Sequence, residues 1–134
     1  MSKISDKINE VKNYLHDLAE ITPDSLQEYK SNKLVKAACE RYFEKIIEGV
    51  TDASFMVIAQ KKLDIPEDDI DAFAILVKHK IIREDLSKKL KQAKGMRNIL
   101  AHQYGKIDDE LVFDSIKHEL VKDVKDFLKV ISNL

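Results

Sequence analysis

The segment MRNILAHQYGKID, residues 96–108, brings an arginine, an asparagine, a histidine and a tyrosine to the end of an apolar helical stretch that stops at Gly105. Side chains of these types can act on a phosphodiester. An arginine offers a planar fork of donors that matches phosphate oxygens, and a histidine moves protons near neutral pH. Cutting RNA without a metal needs a positioned 2′-hydroxyl, a group to move protons, and a cation to offset charge on the phosphorane. His102 suits the second need and Arg97 the third. His102 falls in the last helical turn, where orphan carbonyls and the helix dipole favour an imidazolium, so it is a candidate general acid.

On a helix over 83–104, Leu86, Leu90, Ala93 and Leu100 form an apolar row at spacings of three and four, with Arg97 in its missing place and Tyr104 in its next. An arginine in a core-facing row is costly unless a carboxylate or an anion meets it. A pair with Glu44 or Glu48, or a snorkelling side chain, would be the purely structural reason. His102 lies about 140° around the helix from Arg97 and shares a flank with Asn98 and Gly95. The bare Gly95 would let a ligand or a second chain approach, and Arg97, Asn98 and His102 edge one surface. Residues 78–97 also carry eight Lys or Arg against Glu84 and Asp85, a local basic patch in a chain of net charge −1. The ordinary reading of such a run is a solvated helix face.

Helices must position these groups. Ile4, Ile8, Val11, Leu15 and Leu18 stripe a first helix of about 17 residues, stopped by ITPDS, where Pro23 suits the start of a short helical turn. A long helix follows over 31–63, with room for a bend at Gly49 and with apolar residues in two adjacent rows, wider than one buried face requires. We read the surplus width as a sign of dimerisation. The acidic DIPEDDID opens a short helix bearing Ile70, Phe73, Leu76 and Val77. Asp108 caps a last helix carrying Val112, Phe113, Ile116, Leu120, Val124, Phe127 and Ile131 on one face. The expected architecture is all-α, an antiparallel four-helix bundle with an additional short helix, forming a homodimer, in one domain spanning 1–134.

The composition agrees. Of 134 residues, 44% are hydrophobic and 35% charged, with three glycines and two prolines, which suits long amphipathic helices and leaves a sheet short of turns. Near-zero net charge restricts any polyanion site to a local patch. The single cysteine, Cys39, excludes an intrachain disulfide and fits a reducing cytoplasm. No stretch resembles a secretion signal or a membrane span. The four histidines, His16, His79, His102 and His118, make neither a His-Glu-x-x-His motif nor Glu-x-x-His pairs, which argues against a metal-dependent bundle enzyme. His79 and His118 read as surface residues and Cys39 as a buried apolar one. Tyr14, Tyr29 and Tyr42 could stack bases, though aromatics at helical spacing are more often core.

RNILAHQY resembles the Arg-x4-His-x-Tyr motif of the HEPN superfamily, specifically its HepT-like ribonuclease toxins, and the order of helices resembles theirs over nearly the whole chain. The resemblance implies a metal-independent endoribonuclease, without cofactor, active as a homodimer whose two motifs face one cleft. It implies catalytic roles for Arg97 and His102 and supporting ones for Asn98 and, on the long helix within EKIIEGVTD, Glu48. It further implies that Tyr104 is adenylylated from ATP by a minimal nucleotidyltransferase antitoxin. AMP on Tyr104, in the row of Arg97, would put bulk and negative charge where a substrate phosphate should sit. One departure stands out: many relatives have a glycine in the turn before the motif helix, and this chain has Lys80 in KHKII. The competing reading is a non-catalytic helical dimer that binds a nucleotidyltransferase or a nucleotide. The sequence does not choose among transfer RNA, messenger RNA and a broader substrate preference.

Overall fold

The computed structural model describes residues 3–102 and 106–134, and they are helical throughout apart from short connections. Helix α1 (Lys3–Ile21) is followed by a short α2 (Leu26–Ser31) and the long α3 (Lys33–Gln60). Next come α4 (Asp69–Lys78), α5 (Glu84–His102), α6 (Asp109–Ser115), a π-helical turn (Ile116–Leu120) and α7 (Val121–Ser132). Polar side chains start these helices. Ser25, Asn32, Asp68 and Asp108 each accept from the backbone N–H three residues on, satisfying donors the helix leaves open. The short second helix thus begins at Leu26 behind Ser25, three residues past the place Pro23 suggested.

Helix α1 packs along α3 and touches α7, and α5 packs on α3 and α7, so these four form the bundle in that cyclic order. Its core is built from Val11, Leu15 and Leu18 of α1, Phe43, Ile46, Ile47 and Val50 of α3, Leu90 of α5, and Val124, Phe127 and Leu128 of α7. Helix α3 also touches α2 and α4. The two apolar rows of α3 are therefore taken up inside the protomer, and its width has a reason other than a second copy. Leu34, at the start of that helix, is the exception, with 84% of its surface exposed.

Gly49 serves a close helix crossing. A Cβ there would lie 2.5 Å from Cγ2 of the buried Val11, a separation side chains do not tolerate. Helix α3 runs on through it without interruption from Lys33 to Gln60.

Two helix ends are made without glycine. After α3, Lys62 takes φ 53° while its N–H bonds to the Ala59 carbonyl and the Leu63 N–H to that of Ile58. After α4, Lys80 takes φ 60°, with Lys80 N–H bonded to Val77 and Ile81 N–H to Leu76. Both are Schellman caps with a lysine where the left-handed residue is usually glycine. Lys80 thus makes the turn for which the resemblance implied a glycine.

The last helix is not uniform. Buried Val112, Ile116, Leu120 and Val124 follow one another at spacings of four. On an ideal α-helix each such step would turn the stripe by about 40°. The wider π turn at Ile116–Leu120 absorbs that drift and keeps the row on the core. Phe113 leaves the row for the side of α6, where its ring lies 5.2 Å from that of the buried Tyr29 of α2.

Candidate active site

Arg97 projects from the next-to-last turn of α5 toward α3. Its Nη2 donates to Glu48 Oε1 at 2.6 Å, and its Nη1 donates to the Asn98 side-chain oxygen at 3.2 Å. The Arg97 side chain is 20% exposed and that of Glu48 38%, so the pair lies at the mouth of the α3–α5 groove rather than inside the core. The Arg97 Nε–H is buried with no hydrogen-bond partner among the described residues. A guanidinium carries five N–H donors. Glu48 and Asn98 together take two, so the fork is oriented yet retains donors that an incoming anion could use.

Of the two carboxylates the sequence offered to Arg97, Glu44 pairs within its own helix instead, 3.7 Å from Arg41. Arg97, Asn98 and Glu48 are thus brought together. His102 ends α5 and is exposed. Gly95 is exposed on the same flank, and a Cβ placed on it meets nothing within 4 Å among the described residues. Tyr104 and Gly105 lie outside the described residues.

The basic run over 78–97 differs from the sequence expectation. Lys78 meets Asp64 at 2.8 Å, Arg83 meets Asp85 at 3.5 Å, and Lys89 meets Asp123 at 3.8 Å. Lys94 meets Asp69 at 2.8 Å, with only 9% of its side chain exposed. With Arg97 held by Glu48, most of the apparent surplus charge is neutralised by acids from other parts of the fold. The Lys94–Asp69 pair was not anticipated. It fixes α5 to the start of α4 three residues before Arg97, and its signal was the spacing of Ser87, Leu90 and Lys94, an inward row beside the one that holds Arg97.

The remaining titratable groups fall away from this site. Burial pushes the Cys39 thiol above its usual range, as befits a core residue. His79 lies 3.3 Å from Asp64, and His118 lies 3.8 Å from Asp114 on an exposed face. Tyr14 and Tyr42 form a tilted pair 6.3 Å apart on the α1–α3 side, with Tyr14 donating to Glu10. Burial pushes the Asp123 carboxyl up, partly offset by the nearby Lys89 and Lys122. Among the described residues no three His, Cys, Asp or Glu side chains gather as a metal site requires, and no helix is long and apolar enough to cross a membrane.

Comparison with known proteins fits this geometry. The family model described as "Ribonuclease HepT-like" matches residues 11–131. The chain belongs to this family. It is 27% identical over 128 residues to the mRNA nuclease HepT of Shewanella oneidensis, covering 96% of this chain and 95% of that one. It is likewise 27% identical over 117 residues to the tRNA nuclease HepT of Aphanizomenon flos-aquae, covering 87% and 80%. Among solved structures, the tri-AMPylated Shewanella oneidensis HEPN toxin in complex with MNT antitoxin superposes with a TM-score of 0.93. That match covers all of both chains at 24% identity and establishes the HEPN fold of this HepT-like chain.

Proposed function

We propose that this HepT-like chain is a metal-independent endoribonuclease toxin that cuts RNA in a cleft between two copies of itself. In this reading a minimal nucleotidyltransferase antitoxin silences it by adenylylating Tyr104, and the RNA substrate and lone cysteine suit the cytoplasm. The observation that carries the reading is the Arg97 fork, steered by Glu48 and Asn98 and left with unused donors beside the surface that ends in His102. The nuclease names of the curated relatives support the activity, and the solved AMPylated toxin–antitoxin complex supports the partner and the modification.

The chemistry follows from the groups present. The 2′-oxygen of the substrate forms a bond to phosphorus, the bond from phosphorus to the 5′-oxygen breaks, and the products are a 2′,3′-cyclic phosphate and a 5′-hydroxyl. Arg97 offsets the charge that builds on the non-bridging oxygens, with an anion-matched fork that also orients the phosphate. One proton must leave the 2′-hydroxyl and one must reach the departing 5′-oxygen. In-line displacement puts those two oxygens on opposite sides of phosphorus. One imidazole cannot serve both, whereas His102 and His102 of the partner subunit, facing across a cleft, can act as base and acid and leave no net proton change. Homodimerisation is in this way part of the proposed chemistry. AMP on Tyr104 would carry a competing phosphate into the reach of Arg97 and block the cleft.

The test is cleavage of cellular RNA in EDTA by purified chain whose mass shows Tyr104 unmodified, compared with His102→Ala. The expected outcome is cleavage by the parent and a loss of about 100-fold or more in the variant, with unchanged helicity. Intact RNA with both proteins, each folded, would overturn the nuclease reading and favour the non-catalytic helical dimer.

A further inference from the structure

The basic run contains lysines that its ion pairs leave over. With Lys78, Arg83, Lys89, Lys94 and Arg97 each within 4 Å of a carboxylate, Lys80, Lys88 and Lys91 have none within that distance among the described residues. Lys88 and Lys91 both belong to α5. Reading back from His102 at about 100° per residue, Asn98, Gly95, Lys91 and Lys88 all fall within about 40° of the same line along the helix. Lys88, Gly95 and His102 are exposed, and Lys91 and Asn98 partly so. Glu84, in the first turn of α5, falls on the same line and closes the positive stretch.

Gly95 sits in the middle of that stripe. A glycine inside a helix costs about 0.5–1 kcal/mol against alanine. At Gly49 the close approach of Val11 offsets the cost, but at Gly95 nothing among the described residues comes within 4 Å of a Cβ. A bare stretch of helix between two unpaired lysines and the proposed proton-transfer residue suits a ligand whose backbone must approach closely and carries regularly spaced negative charge.

We propose that Lys88, Lys91 and Gly95 form the track along which single-stranded RNA reaches His102, each lysine holding one backbone phosphate. This rests on the ribonuclease reading above and adds the path and polarity of substrate along α5. A single strand fits better than a duplex, because an A-form helix keeps the 2′-hydroxyl off the line of attack. Lys91 and Lys88 lie about 17 and 21 Å from His102 along the helix axis. At about 3.4 Å per stacked nucleotide, the track spans about six nucleotides on one side of the cut. The lysines bind rather than catalyse. They act on substrates long enough to reach them and leave the chemical step alone.

The experiment measures binding of a labelled RNA of about twelve nucleotides, twice the proposed span, to the His102→Ala dimer with and without Lys88→Gln and Lys91→Gln, over a series of salt concentrations. The expected result is weaker binding and a fall of about 0.7 per lysine in the slope of log affinity against log salt. Lys12→Gln and Lys125→Gln, in the groove between α1 and α7 on the opposite edge of the bundle, should leave the slope unchanged. With His102 restored, the double variant should show a raised KM and unchanged kcat on the long RNA, and parental kinetics on a dinucleotide. An unchanged salt slope overturns the track. So does dissociation of the Lys88→Gln, Lys91→Gln protein to monomers in sedimentation, which would assign the stripe to the second copy. A parent that binds the RNA with the expected slope but cuts nothing would instead count against the nuclease reading and keep the track.

Discussion

Two glycines inside helices make opposite statements about what surrounds them. Gly49 lies against Val11, and an alanine there would drive its methyl into a fully buried side chain. Gly49→Ala should destabilise the fold by about 1–3 kcal/mol in a denaturant titration, and Val11→Ala in the same chain should recover part of the loss. A Cβ on Gly95 meets nothing among the described residues, so Gly95→Ala should stabilise the fold by about 0.5–1 kcal/mol through helix propensity alone. If RNA approaches the bare backbone there, the same variant binds RNA more weakly while it melts at a higher temperature. A stabilised Gly95→Ala protein with parental RNA affinity would show that the glycine serves something other than substrate. The contrast is useful because both substitutions add one methyl group, and only the neighbours differ.

Helix starts and helix ends were unequally legible. Starts are marked by short polar side chains that can bond to the backbone just ahead of them, and Asp108 was identifiable for that reason. Ends are usually marked by glycine, and α3 and α4 end on Lys62 and Lys80 in the left-handed conformation, so composition left no sign of them. The strain is testable. A left-handed non-glycine residue costs about 1–2 kcal/mol, partly offset by the chain entropy glycine loses on folding. Lys80→Gly should therefore stabilise the fold by about 1 kcal/mol, raising the melting midpoint, whereas Lys80→Val should lower it because a β-branched side chain tolerates positive φ least. The active-site arginine was legible as a misfit in an apolar row. Its partner was not, because Glu44 and Glu48 are one turn apart on α3 and only the axial register of α5 against α3 selects between them. The basic patch was overestimated for a similar reason: Asp64, Asp69 and Asp123, which neutralise much of it, come from a loop and two other helices.

At the scale of the molecule, the cyclic order α1–α3–α5–α7 puts α3 and α5, which carry the Glu48–Arg97 pair and the lysine stripe, on the edge of the bundle opposite the α1–α7 groove. One side of each protomer thus holds the groups the proposed reaction needs, and in-line geometry asks for two such sides to face each other. Mixing experiments can read that demand directly. Parent and His102→Ala chains, unfolded together and refolded, should distribute at random among dimers of the same closed symmetry. If each cut needs both imidazoles, activity follows the square of the parental fraction, so an equal mixture retains about a quarter of the parental rate. If a single His102 suffices for each site, the same mixture retains about half, and the in-line requirement for the second copy falls. Dimers formed separately and mixed without refolding should retain about half in either case until subunits exchange, so the difference between the two protocols isolates the contribution made across the interface.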